Sequence, residues 1–176
     1  VITPWETRQK TLERLVSAPV NTWTIILGDI IASFLFGVMV SFFPLLAGAC
    51  LLGPGIITLE LIIGTILAAF CFSSLASVLS APPTDTPADV MVLSTMIKFP
   101  LIFISGIFVP VSELAGWGRL LSFISPLTYY TDLARHSMQG TSYFPPLLNL
   151  TMLAGYSLAF FIIAVKWHEK SLPKRF

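Results

Sequence analysis

The sequence predicts an all-α protein of the polytopic membrane class. Its parts are a bundle of four transmembrane helices, an N-terminal amphipathic cytoplasmic helix and a short extracellular helical hairpin. Three observations predict it. Charged residues are 11% of the 176-residue chain, well below the share of about a quarter in a soluble domain. Hydrophobic residues are 55% and the mean hydropathy is +0.85, more apolar surface than a soluble fold can hide without aggregating. Four continuous apolar runs are also long enough, at about 1.5 Å per residue, to cross a hydrocarbon core about 30 Å thick. The same composition excludes a disordered chain. A net charge of +1 excludes a nucleic-acid binder working through a broad basic face.

Residues 1–20 read as an amphipathic helix set apart from the membrane region 21–176. Thr3 suits the N-cap, Pro4 the first helical position, and Glu6 completes a capping box. Trp5, Leu12, Leu15 and Val16 fall near one face, with Glu6, Arg8, Gln9, Lys10, Glu13 and Arg14 over the rest. Such a helix either rests at the headgroups or docks on a cytoplasmic partner through charges of both signs.

The spans follow at about 23–50, 56–79, 90–109 and 146–166. They are continuously apolar rather than alternating, which favours helices over barrel strands. Asp29, Glu60 and Lys98 are the charges inside the first three, and the fourth core carries none. Seven of the ten basic residues flank the set: Arg8, Lys10 and Arg14 before it, Lys166, Lys170, Lys174 and Arg175 after it. Both ends are therefore expected in the cytoplasm, with 111–145 outside and the proline-rich loop Ser80 to Asp89 inside. That loop carries two aspartates and no basic residue, a small count against the scheme. The chain starts at Val1 without a signal-peptide pattern, so an upstream part of the natural protein is expected. Cys50 and Cys71 lie in apolar stretches with no CxxC spacing and read as packing thiols. No metal ligand set is suggested, His136 and His168 being single, far apart and outside the spans.

The outer segment is longer than a connection requires. Ser112 suits the cap of a short helix with Leu114, Trp117, Leu121 and Ile124 on one face. Pro126 breaks it, and a second amphipathic stretch from Leu127 to Met138 ends at Gly140. Two short helices returning towards the membrane fit these residues, with Trp117, Phe123, Tyr129 and Tyr130 suited to the interface. The alternative is a small lid over a pore mouth.

The run from Glu6 to Val20, ETRQKTLERLVSAPV, resembles the cytoplasmic stretch of ABC-2 type transporter permeases. There a glutamate precedes a Gly-Thr-Leu/Ile-Glu-x-Leu core and then a proline before the third span. Lys10 stands where that family usually has glycine. Gly106-Ile-Phe-Val-Pro110 is similar to the family's element at the outer end of the fifth span. Ser125-Pro126-Leu127-Thr-Tyr129, with Asp132 and Arg135, is similar to the stretch before the last span. The resemblance covers the whole chain and implies the last four spans of a six-span permease. It implies a dimer, with a second permease copy as homo- or heterodimer partner, docked on a separate cytoplasmic P-loop ATPase that holds ATP and Mg. Residues Glu6, Thr11, Leu12, Glu13, Leu15 and Pro19 would then form the coupling helix. The implied function is ATP-driven export of a drug, lipid or glycan-type substrate across the cytoplasmic membrane, among membrane lipids and without nucleic acid. This chain carries no GxxxxGK[ST] phosphate loop and is expected to hold no cofactor and no catalytic residue.

A charge at mid-bilayer costs at least about 2.5–3.5 kcal/mol, so Asp29 and Lys98 need a role. Glu60 sits about one turn from the outer end of its span, where it reaches the headgroups. Asp29 and Lys98 fall at comparable depth. Either they face each other or the dimer interior along a substrate path, or each snorkels to the inner headgroups. Ser73, Ser77, Ser80, Ala69 and Ala76 give the second span a small-residue side suited to close helix packing. The sequon Asn149-Leu-Thr151 falls within the fourth span and reads as accidental. The competing function classes are an ATP-independent channel or carrier and an intramembrane enzyme. The enzyme lacks an HExxH motif or a second intramembrane aspartate.

Overall fold

In a computed structural model, residues 22–81, 87–114 and 116–171 are described, and among them every regular element is helical. Helix α1 spans Thr22–Leu52, 31 residues or about 46 Å, and passes through Pro44 without ending. One turn is bridged locally where Ser41 Oγ donates to the Gly37 carbonyl at 2.8 Å. Gly53, at φ 95°, ends α1 in a conformation open to glycine, and a 3₁₀ turn follows at Pro54–Ile56. Helix α2 spans Leu59–Ser80. It starts three residues later than the apolar run suggests, because Thr58 caps it by accepting from Leu61 N at 3.2 Å.

Helix α3 spans Pro87–Ile104 and contains Pro100. It ends five residues before the expected boundary at Val109, because Gly106 turns the chain at φ 85°. The outer segment then forms a 3₁₀ turn at Val111–Glu113, helix α4 at Gly116–Ser122 and helix α5 at Pro126–Gln139. The short helix therefore starts at Gly116 rather than after Ser112, since Leu114 takes an extended conformation with ψ 137°. Gly140, at φ 69°, closes α5 as the loop chemistry predicts. Helix α6 spans Pro146–Ser171, longer than the expected 146–166. His168 therefore lies within this helix, buried, with Nδ1 3.0 Å from the Ala164 carbonyl. The expectation that neither histidine enters a span is corrected accordingly.

Segments of α1, α2 and α6 are long and apolar enough to cross a membrane. The remaining expected span, α3, has 18 residues or about 27 Å of helix, slightly less than the hydrocarbon core. Helix α2 is the centre of the bundle, packing most extensively on α6 and next on α1, whereas α3 touches its neighbours only sparsely. At one end Ile26 and Ile30 meet Val78 and Ala164, and towards the other Ala68 meets Tyr129 and Leu153. These pairings run α6 parallel and α1 antiparallel to α2. Ser73, Ser77 and Ser80 are buried on α2, so small residues there admit close helix approach.

The α4–α5 hairpin re-enters the bundle. Helix α5 runs antiparallel to α2, with the Thr58 hydroxyl 2.8 Å from that of Ser137 and the Thr65 hydroxyl 3.3 Å from Tyr130 OH. Gly64 makes this approach possible: a Cβ there would collide with the Leu133 side chain, which is fully buried. The hairpin tip lies deep. The Phe123 carbonyl accepts from Tyr129 OH at 2.7 Å and from Tyr156 OH at 3.3 Å. Tyr156 is ten residues into α6, about 15 Å from its start and so near mid-membrane. Non-helical backbone at that depth requires internal hydrogen bonding, and Thr128 Oγ1 on the Ser122 carbonyl at 2.6 Å completes it. Tyr129 is thus a buried donor to backbone, where an interfacial position was expected.

Candidate functional site

A cavity of about 540 Å³ lies between α1, α2, α3 and the inner half of α5. Helix α1 contributes Ser33, Phe36, Gly37 and Ser41. Helix α2 contributes Thr65, Ala68, Ala69, Phe72, Ser73 and Ala76, α5 contributes Leu127 and Tyr130, and α3 contributes Lys98. Each wall follows from local sequence. Gly37 faces Ala69 across the α1–α2 contact, where an added Cβ would sit at ordinary van der Waals distance, 3.7 Å from Ala69 Cβ. The small residues Ala69, Ser73 and Ala76 recur at helical spacing on α2 and leave the space open. Expected to serve helix packing, this side divides its work between packing and the cavity wall.

Five hydroxyls and one ammonium give the cavity a polar lining inside an apolar bundle. Thr65 is committed twice, to Tyr130 and to the Leu61 carbonyl at 2.8 Å, so it is a fixed part of the wall. Lys98 is exposed in this chain and is the charged residue of the lining. Eleven residues separate it from the start of α3, about 16 Å of helix. That places it a little past the middle of α3.

Of the two expected path residues, Lys98 lines the cavity and Asp29 does not. Asp29 sits seven residues into α1, about 10 Å from its start, one turn before Ser33 and outside the cavity lining. Glu60, in the first turn of α2, is about half exposed and 3.9 Å from His136 Nε2. This agrees with a position within one turn of the end of its span. Glu6, Thr11, Leu12, Glu13, Leu15 and Pro19 lie outside the described residues.

Sequence reasoning missed the lock on the outer side of α5. Asp132 is buried, and its Oδ1 accepts from Tyr143 N at 2.8 Å. Its Oδ2 accepts from Phe144 N at 3.0 Å and Asn149 Nδ2 at 2.9 Å. Arg135 Nη2 donates to the Gly106 carbonyl at 2.8 Å, and Thr131 Oγ1 to Ser105 O at 2.7 Å. Together these bonds tie the hairpin to the outer end of α3 and the start of α6. Asn149 is fully buried and holds the carboxylate, which agrees with the sequon being accidental. The available signal was an aspartate, an arginine and an asparagine in segments otherwise rich in apolar residues.

The sequence profile of the ABC-2 type transporter family matches residues 1–139, which takes in α1 through α5. The chain belongs to this family. Curated relatives of the ABC-2 chain include the inner membrane transport permease YadH of Escherichia coli strain K12 and the same-named protein of Shigella flexneri. Each is 26% identical over 160 residues, covering 88% of this chain. The chain spans about 60% of the length of these relatives. No solved structure matches it.

Proposed function

We propose that this chain is part of a transmembrane permease subunit of an ATP-driven ABC-2 exporter. The permease works as a dimer with a separate cytoplasmic P-loop ATPase, which hydrolyses ATP with Mg. Its substrate is of the drug, lipid or glycan type, and both ends of the chain face the cytoplasm. Family membership supports the class. The observation that carries the role of this particular chain is the Lys98 cavity: a cation at mid-bilayer, lining a space with five hydroxyls, beside a hairpin that packs back onto the bundle. Ionisable groups at that depth line substrate paths or pair internally, and Asp29 does not line this cavity. Lys98 accordingly meets the polar part of the substrate, while Phe36, Phe72 and Leu127 meet its apolar part.

The coupling helix is residues 1–20, with Glu6, Thr11, Leu12, Glu13 and Leu15 seated on the ATPase and Pro19 passing its motion to α1. In liposomes holding the full-length permease and its ATPase, Lys98→Gln should lower ATP-dependent movement of a fluorescent phosphatidylglycerol. Complex formation and basal ATP hydrolysis should remain. Unchanged lipid movement in Lys98→Gln, with wild-type movement above the ATP-free control, would remove Lys98 from the path.

A further inference from the structure

On the other side of α5 lies a second cavity, about 260 Å³, formed with the turn after α3 and the loop after Gln139. We propose that it is a binding site for an oxyanion, a phosphate or carboxylate group presented at the outer surface. This site is separate from the Lys98 cavity and does not depend on the ATP-coupled reading.

The two charged side chains lining the second cavity are Asp132 and Arg135. Both carboxylate oxygens of Asp132 already accept hydrogen bonds, from Tyr143 N, Phe144 N and Asn149 Nδ2. Three donors stabilise its charge and occupy three of its roughly four lone-pair sites. Arg135 is in the opposite condition. Its one protein acceptor among the described residues is the Gly106 carbonyl, at 2.8 Å, which is neutral. A guanidinium carries five N–H donors and no acceptor, and its fork geometry matches carboxylate and phosphate. Gln139, Ser112 and Ser142 add an amide and hydroxyls around it. An incoming group therefore meets a guanidinium with donors to spare, while the carboxylate beside it is already hydrogen-bonded.

The site is also built before a ligand arrives. Gly106 holds φ 85°, and a Cβ there would meet Val111 Cγ2 at 2.9 Å, so its carbonyl is fixed by a turn that excludes larger residues. Arg135 is half-buried and pinned to that carbonyl. Preorganisation of this kind lowers the ordering cost of binding. The volume lies just below the range of about 300–1,000 Å³ typical of whole-ligand pockets. It suits a headgroup rather than an entire amphiphile.

The test uses the full-length permease carrying Ser142→Cys in a Cys50→Ser background, in dodecyl maltoside, which has no oxyanion. The rate of N-ethylmaleimide reaction at position 142 is followed by mass spectrometry. Inorganic phosphate in one arm and phosphatidylglycerol in the other are the probes, against chloride at equal ionic strength. At a ligand concentration of roughly twice its Kd, the rate should fall about threefold, and Arg135→Gln should abolish the effect. Protection by phosphate identifies a soluble anion as the source; protection by phosphatidylglycerol alone identifies a lipid headgroup. Should Arg135→Gln fail to fold, Gln139→Ala with Ser112→Ala, which leaves the Gly106 bond intact, should weaken protection. No slowing with either probe, equal slowing by chloride, or full protection in these variants overturns the proposal.

Discussion

Replacing Asp132 by alanine should unlock the hairpin. The carboxylate satisfies three donors in different environments, and the cost follows from what each donor does afterwards. Asn149 is fully buried, and its Oδ1 has no hydrogen-bond partner, so loss of Asp132 leaves a whole amide unsatisfied, worth about 1–3 kcal/mol. Tyr143 is exposed and Phe144 half-buried, so water reaches their N–H groups and each loss costs about 0.5–1.5 kcal/mol. The expected total is about 2–6 kcal/mol against local opening of the segment between α5 and α6. At 1.4 kcal/mol per factor of ten, that is about thirty- to twenty-thousand-fold faster hydrogen exchange at the Tyr143 and Phe144 amides. The measurement is hydrogen–deuterium exchange of the full-length permease in mild detergent, resolved to the peptide after Gly140. Asn149→Ala serves as the second arm of a double-mutant cycle. In the double variant the loss should fall below the sum of the singles by about 1–3 kcal/mol, because the buried amide is gone as well. Exchange within about threefold of wild type, or strictly additive losses, would refute the claim that Asp132 holds this segment.

Three further outcomes follow from the same geometry. Gly64→Val should destabilise the α2–α5 contact by about 1–3 kcal/mol through overpacking against Leu133, read as a lower midpoint in SDS-driven unfolding; an unchanged midpoint removes the close contact. Exchanging charges with Asp29→Lys and Lys98→Asp should not restore the transport lost in Lys98→Asp alone, since Asp29 lies outside the Lys98 cavity; recovery in the double variant would establish pairing. Glu13→Lys or Pro19→Gly should leave membrane insertion and ATP hydrolysis in place while abolishing ATP-dependent transport, and normal coupling in both would withdraw the coupling-helix assignment.

The legible parts of the fold were those written in hydropathy and in turn chemistry. The long apolar runs became α1, α2 and α6, and Pro126 and Gly140 delimited α5 as expected. The boundaries that moved were set by short-range geometry: the Thr58 cap delayed α2, and the Gly106 turn ended α3 early. The return of the outer helices towards the membrane was readable from their amphipathic pattern. The depth of their tip was not, because it depends on Gly64 admitting Leu133 and on two tyrosines meeting one carbonyl. Lys98 was found because a charge inside an apolar run is costly wherever the fold puts it. Its cavity was not, since the walls come from four helices far apart in sequence. Asp132 and Asn149 lie 17 residues apart, and their pairing exists only once α5 turns back beside α6.

Affinity purification of the full-length protein from its native cells in mild detergent is the decisive measurement of coupling to a separate ATPase. The account predicts a co-purifying P-loop ATPase that is lost when Glu6 and Glu13 are both reversed in charge. A clean preparation without any ATPase would contradict it and leave an ATP-independent channel or carrier as the reading.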